Sequence, residues 1–97
     1  MRIISLKPLR EFYFRHKDAE GSIRAWVKVV RKAQWKSFQE LKRQFGDASV
    51  VGNDRVVFNI KGNSYRLVVR IDFEWQLLFV RFIGTHDEYD RINVKEI

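Results

Sequence analysis

A histidine, a tyrosine and three acids fall in one short segment near the C-terminal end of the chain, Gly84-Thr85-His86-Asp87-Glu88-Tyr89-Asp90. Just upstream, three stretches that alternate as strands do, Val56–Ile60, Tyr65–Ile71 and Leu77–Ile83, carry Arg66, Arg70 and Arg81 where apolar or neutral residues would be ordinary. Cleavage of RNA through its own 2′-hydroxyl needs a base, an acid for the departing 5′-oxygen, and fixed positive charge beside the phosphorane-like transition state. Histidine and tyrosine serve proton transfer, and arginine, always charged and forked, suits the third role. The residue types therefore point to phosphodiester chemistry on RNA.

Thr85-His86-Asp87-Glu88 has the form of a capping box, so a helical turn is expected directly after the third strand, with Thr85 as N-cap. His86, Tyr89 and Asp90 then stand at i, i+3 and i+4 on one side of that turn, near Arg81 and one strand from Arg66 and Arg70. Each group also has a plainer role. His86 is open to being a surface residue, Tyr89 to closing the edge of the core, and Asp87 and Glu88 to serving as cap and helix-dipole partners.

The elements that must position these groups are legible from periodicity. Arg2–Ser5 reads as an N-terminal strand, and Pro8 suits the first turn of a helix from Lys7 to about His16. Asp18-Ala19-Glu20-Gly21-Ser22 interrupts the pattern. Ile23, Trp26, Val27 and Val30 then mark one apolar face of a second helix ending near Lys32. Ser37, three residues before Glu40, caps a third helix with Phe38, Leu41 and Phe45 on its buried stripe, ending at Gly46. From Val50 the period becomes two, and Gly62-Asn63 makes a hairpin turn.

In the second predicted strand Tyr65, Leu67, Val69, Ile71 and Phe73 share a core face, leaving Arg66, Val68, Arg70 and Asp72 on an open one. In the third, Leu78, Val80 and Phe82 are expected on the core side and Leu77, Phe79, Arg81 and Ile83 opposite. A strand apolar on both faces is expected to be central or covered. The predicted fold is α+β: an N-terminal strand, two to three helices on one sheet face, a three-stranded antiparallel meander and a short C-terminal helix.

The 97 residues make a single domain, 1–97, with one modest core. Cysteine is absent, which removes disulfides and thiolate zinc sites, and His16 and His86 alone cannot fill a metal's coordination shell. No metal or cofactor is expected. No stretch approaches the roughly 20 apolar residues of a membrane span, and the first residues lack the pattern of a signal peptide; a cytoplasmic protein is expected. With 19 Lys+Arg against 12 Asp+Glu and net charge +7, a polyanionic partner is favoured, although charge alone does not choose among RNA, DNA, lipid and acidic protein.

The run Val57-Phe58-Asn59-Ile60-Lys61-Gly62-Asn63-Ser64-Tyr65-Arg66-Leu67-Val68, followed by Val80-Arg81-Phe82-Ile83-Gly84-Thr85-His86-Asp87-Glu88-Tyr89-Asp90, closely resembles the HigB family of toxins, within the RelE/ParE-like superfamily of bacterial type II toxin–antitoxin systems. The Trp35–Phe45 segment is also similar, whereas the first thirty residues match only in layout. The resemblance implies a RelE-like α+β toxin that cleaves mRNA, commonly in the ribosomal A site, and so inhibits translation. It also implies neutralisation by a HigA-type helix-turn-helix antitoxin encoded beside it, with operator DNA bound only through the toxin–antitoxin complex.

By the same resemblance Arg66, Arg81, His86, Tyr89 and Asp90 are the active-site candidates, while Arg70 rests on strand alternation alone. Arg66 and Arg81 are expected to clamp the scissile phosphate, His86 and Tyr89 to transfer protons in an order left open, and Asp90 to orient one of them. Asn59 and Lys61 are expected to touch the neighbouring nucleotide. Lys28, Arg31 and Lys32, in a basic patch on the helices, are expected to lie against rRNA phosphates, and Trp75 is open either to base stacking or to internal packing. The competing functions are a ParE-like poison of DNA gyrase and a non-enzymatic basic RNA- or ribosome-binding module.

Overall fold

The computed structural model describes residues Met1–Ile97. Five strands form one sheet in the order β1-β5-β4-β3-β2. They are β1 (Arg2–Ile4), β2 (Ser49–Gly52), β3 (Arg55–Ile60), β4 (Tyr65–Asp72) and β5 (Leu77–Thr85), with α1 (Lys7–Arg15), α2 (Glu20–Lys32) and α3 (Phe38–Gln44) between β1 and β2, and α4 (His86–Tyr89) after β5. β2 to β5 run antiparallel in sequence order, and β1 closes the far edge parallel to β5. The predicted α+β layout is therefore present, with β5 lying between β1 and β4. None of the helices is long and apolar enough to cross a membrane.

Three local expectations change. The interruption expected over Asp18–Ser22 is present but falls earlier, at His16 and a 3-10 turn over Lys17–Ala19 that separates α1 from α2, so that Glu20–Ser22 already belong to α2. The meander has a further strand, β2, joined to β3 by Asn53-Asp54, both with positive φ (50° and 60°). Asn and Asp tolerate that left-handed region, as a two-residue hairpin turn requires. At the next hairpin Gly62 is left-handed (φ 61°), as the turn requires, together with Lys61 (φ 53°).

The third change concerns faces. β5 carries one extra residue against β4, since Val68 pairs with Phe82 but Val69 pairs with Val80, so that Arg81 is the bulged residue. A bulge reverses the side-chain alternation beyond it. Leu78 and Val80 face the core as expected, but Ile83 packs on the core and Phe82 faces the other side opposite Val68, reversing the expected placement of both.

The helices cover one face. Leu9 and Phe12 of α1, Ile23, Trp26 and Val30 of α2 and Leu41 of α3 are buried against Val56, Phe58, Ile60, Leu67, Val69, Ile71 and Leu78. Phe58 is the hub, with the rings of Trp26 and Phe45 edge-on at 5.4 and 5.0 Å. The second face, called here the arginine face, holds Arg66, Arg70, Phe79, Arg81 and Phe82. It is only partly open: Val57 and Val68 are buried on it, outside the helix-side cluster. The chain after α4 returns across this face to the β2–β3 hairpin, where Arg55 donates to the Ile97 and Asn53 carbonyls and Asn53 donates to that of Lys95.

Candidate active site

α4 is built as its sequence dictates. Thr85 Oγ1 accepts from the Glu88 backbone N–H at 3.3 Å, and the Glu88 carboxylate accepts from the Thr85 N–H at 2.9 Å. The backbone bond to Thr85 is the main reason the Glu88 carboxyl sits below its ordinary pKa. Gly84, just before, is obligatory for a packing reason. A Cβ there would stand 2.6 Å from the tip of the Phe82 ring and 3.0 Å from the Glu88 carboxylate. Glycine thus lets α4 fold down onto the end of β5, and this sets the position of Tyr89.

Tyr89 reaches the sheet at Arg66, whose guanidinium carbon lies 5.4 Å from the centre of the phenol ring. Arg66 sits between Asn59 of β3 and Gly84 of β5 in the strand register. Its Nε is buried without a hydrogen-bond partner, as is the side-chain oxygen of its cross-strand neighbour Asn59. No carboxylate pairs with Arg66, Arg70 or Arg81; the ion pairs of the chain are Lys7–Glu11, Arg24–Glu20 and Lys61–Asp18.

His86 meets none of its expected partners directly. Its Nε2 bonds the carbonyl oxygen of Asn63 in the β3–β4 turn. A carbonyl only accepts, so Nε2 carries the proton and a neutral ring keeps its lone pair on Nδ1. Asp90, expected to orient His86 or Tyr89, bonds to neither through its side chain and is exposed, although its backbone N–H completes the turn by donating to the His86 carbonyl at 2.9 Å.

The remaining candidates separate. Arg70 and Arg81 both lie against Phe79, each guanidinium carbon 5.6 Å from the ring centre. Asn59 is engaged by Asp47, donating to its backbone and carboxylate oxygens at 3.3 Å. Lys61 is engaged by Asp18 at 2.8 Å, where the Tyr65 hydroxyl also donates. Lys28, Arg31 and Lys32 lie on the far side of the molecule, flanking a groove between α1 and α2 floored by Leu6, Leu9, Tyr13, Ile23 and Val27. Trp75 is exposed at the β4–β5 turn. Sequence reasoning missed three contributors. Phe79 looked like a strand apolar, the Asn63 carbonyl carries no side-chain signal, and the need for Gly84 depends on where Phe82 points after the bulge.

A five-stranded sheet with helices on one face and unpaired arginines beside a terminal tyrosine on the other defines a class, and comparison with known proteins agrees. Residues 19–92 match the family model of the HigB toxin, described as the RelE-like toxic component of a toxin–antitoxin system. The mRNA interferase toxin HigB of Escherichia coli strain K12 is 29% identical over 92 residues, 93% of this chain and 88% of that protein. The mRNA interferase HigB of Shigella flexneri matches to the same extent. That of Escherichia coli O6:H1 is 26% identical over 94 residues, covering 95% of this chain and 91% of that protein. The chain is a RelE-like toxic component of a toxin–antitoxin system. Within that class it belongs to the HigB toxin family.

Proposed function

We propose that this toxin cleaves mRNA on the arginine face, with the scissile phosphate at Arg66 beneath Tyr89. The carrying observation is the Arg66–Tyr89 contact, a guanidinium without a carboxylate partner held against a phenol. The chain acts as an mRNA endoribonuclease, in keeping with its family and its similarity to mRNA interferases. Its partner is an antitoxin.

Arg66 binds the phosphate and offsets the charge it gains in the transition state, and Arg81, held against Phe79, lies toward the neighbouring phosphate instead of completing the expected clamp. An imidazole can take up a proton and a phenol can give one, which suits complementary roles. His86 Nδ1 accepts the proton of the 2′-hydroxyl, whose oxygen attacks phosphorus. The Tyr89 O–H protonates the departing 5′-oxygen. The products are a 2′,3′-cyclic phosphate and a 5′-hydroxyl. The Asn63 carbonyl, rather than Asp90, orients the imidazole, and Asp90 supplies only negative potential near it. Asn59 and Lys61 contact the adjoining nucleotide once their acidic neighbours Asp47 and Asp18 give way.

The reaction takes place in the cytoplasm on mRNA held in the ribosome, where the basic helices meet rRNA. The antitoxin is of the HigA helix-turn-helix type, and operator DNA is reached only through the complex. Primer extension on mRNA after brief induction tests the reading. New 5′ ends within translated regions are expected. A DNA-damage response without mRNA cuts would instead identify a gyrase poison.

A further inference from the structure

Phe79, on the arginine face, stands beside two cations. Arg70 is its direct cross-strand partner on β4. Arg81 reaches it from the bulge of β5, two residues along the same strand. Each guanidinium carbon lies 5.6 Å from the ring centre, so one ring holds both. Neither arginine makes an ion pair, and like charges sharing a ring in water repel unless an anion joins them. Phe79 precedes the bulge and shares the face of Arg70 by ordinary alternation, and Arg81, two residues on, reaches back to the same ring.

From this we infer that Arg70, Phe79 and Arg81 form a second nucleotide subsite, beside the one at Arg66 and Tyr89, for single-stranded RNA. Phe79 is a positioning residue. Its ring holds the two guanidinium planes upright so that their N–H forks face solvent and grip the phosphate adjoining the scissile one, while the aromatic and guanidinium planes accept a splayed base. Stacked bases on aromatic and arginine planes are how proteins hold unpaired RNA, and such stacking tolerates any base because each has a π-face. The inference rests on the arginine face being where RNA binds, as proposed above, but does not require that the RNA be cut.

The test is therefore a binding measurement on the intact chain. Fluorescence anisotropy of a labelled single-stranded oligoribonucleotide would be followed over a range of KCl concentrations for the wild type, Phe79→Leu, Phe79→Trp, Arg70→Gln and the Phe79→Leu/Arg70→Gln double variant. Phe79→Leu is expected to weaken binding roughly 5- to 20-fold, as loss of one base stack does. It should also flatten the slope of log K against log salt by about 0.7 to 1.4, the equivalent of one or two phosphate contacts. Phe79→Trp should restore both, and the double variant should be little weaker than Phe79→Leu alone, because Arg70 acts through the ring. Unchanged affinity and slope in Phe79→Leu, or full additivity in the double variant, would overturn the subsite. Primer extension run in parallel keeps the two readings apart: absence of cuts by the wild type sinks the nuclease reading, while altered binding in Phe79→Leu still supports the subsite.

Discussion

The two faces of the sheet treat polar groups in opposite ways. At the margin of the helix-covered face, Asp18 closes a compact set of contacts, accepting from Lys61 and from the Tyr65 hydroxyl at 2.8 Å, with His16 and Phe12 packed on the Tyr65 ring. On the arginine face, Arg66, Arg70 and Arg81 meet only aromatic rings. Satisfied polar groups hold a fold in one arrangement, whereas cations held on π-faces stay oriented and keep their N–H forks for a ligand. The difference separates stability from function within a chain of 97 residues.

The sharpest way to break this comparison is to remove one residue from each side. Phe58→Ala, at the hub of the helix-side core, should cost about 3–5 kcal/mol of folding stability. For a domain of this size that lowers Tm by roughly 15 °C or more in a thermal melt. Arg66→Ala should instead leave Tm within a few degrees and lower single-turnover RNA cleavage by about 10²- to 10³-fold, the usual loss when one transition-state charge contact is removed. If Arg66→Ala melted the protein while sparing cleavage, the division between the faces would be wrong.

Tyr89→Phe divides the tyrosine's two contributions. The ring contact with Arg66 persists without the hydroxyl, so RNA binding should hold while cleavage falls by about 10²-fold, as expected for loss of a proton-transfer group. Equal losses of binding and cleavage would reduce Tyr89 to a packing role. Gly84→Ala joins the two faces' concerns, because the new methyl group must push Phe82 or Glu88 away. It should cost about 1–3 kcal/mol in urea denaturation and shift Tyr89 off Arg66, lowering cleavage more than stability alone accounts for.

The smallest expected effect is on the acid side of the stability profile. The Asp18 carboxyl is held below its ordinary value of 3.8, first by the hydrogen bond from Lys61 and then by that from Tyr65. A depressed folded pKa gives stability that is present above about 3.8 and is lost as pH falls through the lower folded value. Asp18→Asn should therefore flatten the acid limb of the denaturation profile below about pH 4. The Tyr65 phenol is raised above 10.0 by the hydrogen bond to Asp18, so its share is present below about pH 10 and lost on further alkalinisation, and this limb should flatten in the same variant.

Most of the fold was legible because it rests on local rules. The apolar spacing of Ile23, Trp26 and Val30, the Ser37 cap and the Thr85/Glu88 capping box are properties of neighbouring residues, and each is in place. β2 escaped because Ser49–Gly52 is short and mostly exposed, with the Asn53-Asp54 turn as its one clear mark. The α2 start was misplaced since Gly21 and Ser22 look like breakers, whereas the interruption ends with the 3-10 turn, where Lys61 and Tyr65, more than forty residues away, hold Asp18.

Residue types alone determined that this chain carries a cationic strand surface and a capped turn with a histidine and a tyrosine, because side-chain chemistry and one-turn geometry depend on adjacent residues. Only the tertiary structure decided which groups meet. A single extra residue at Arg81 reversed the faces of Phe82 and Ile83, and pairing between segments distant in sequence set Phe79 against Arg70 and brought Tyr89 over Arg66. Strand register is a cooperative outcome of pairing between distant segments, and a shift of one position moves every side chain beyond it to the other face.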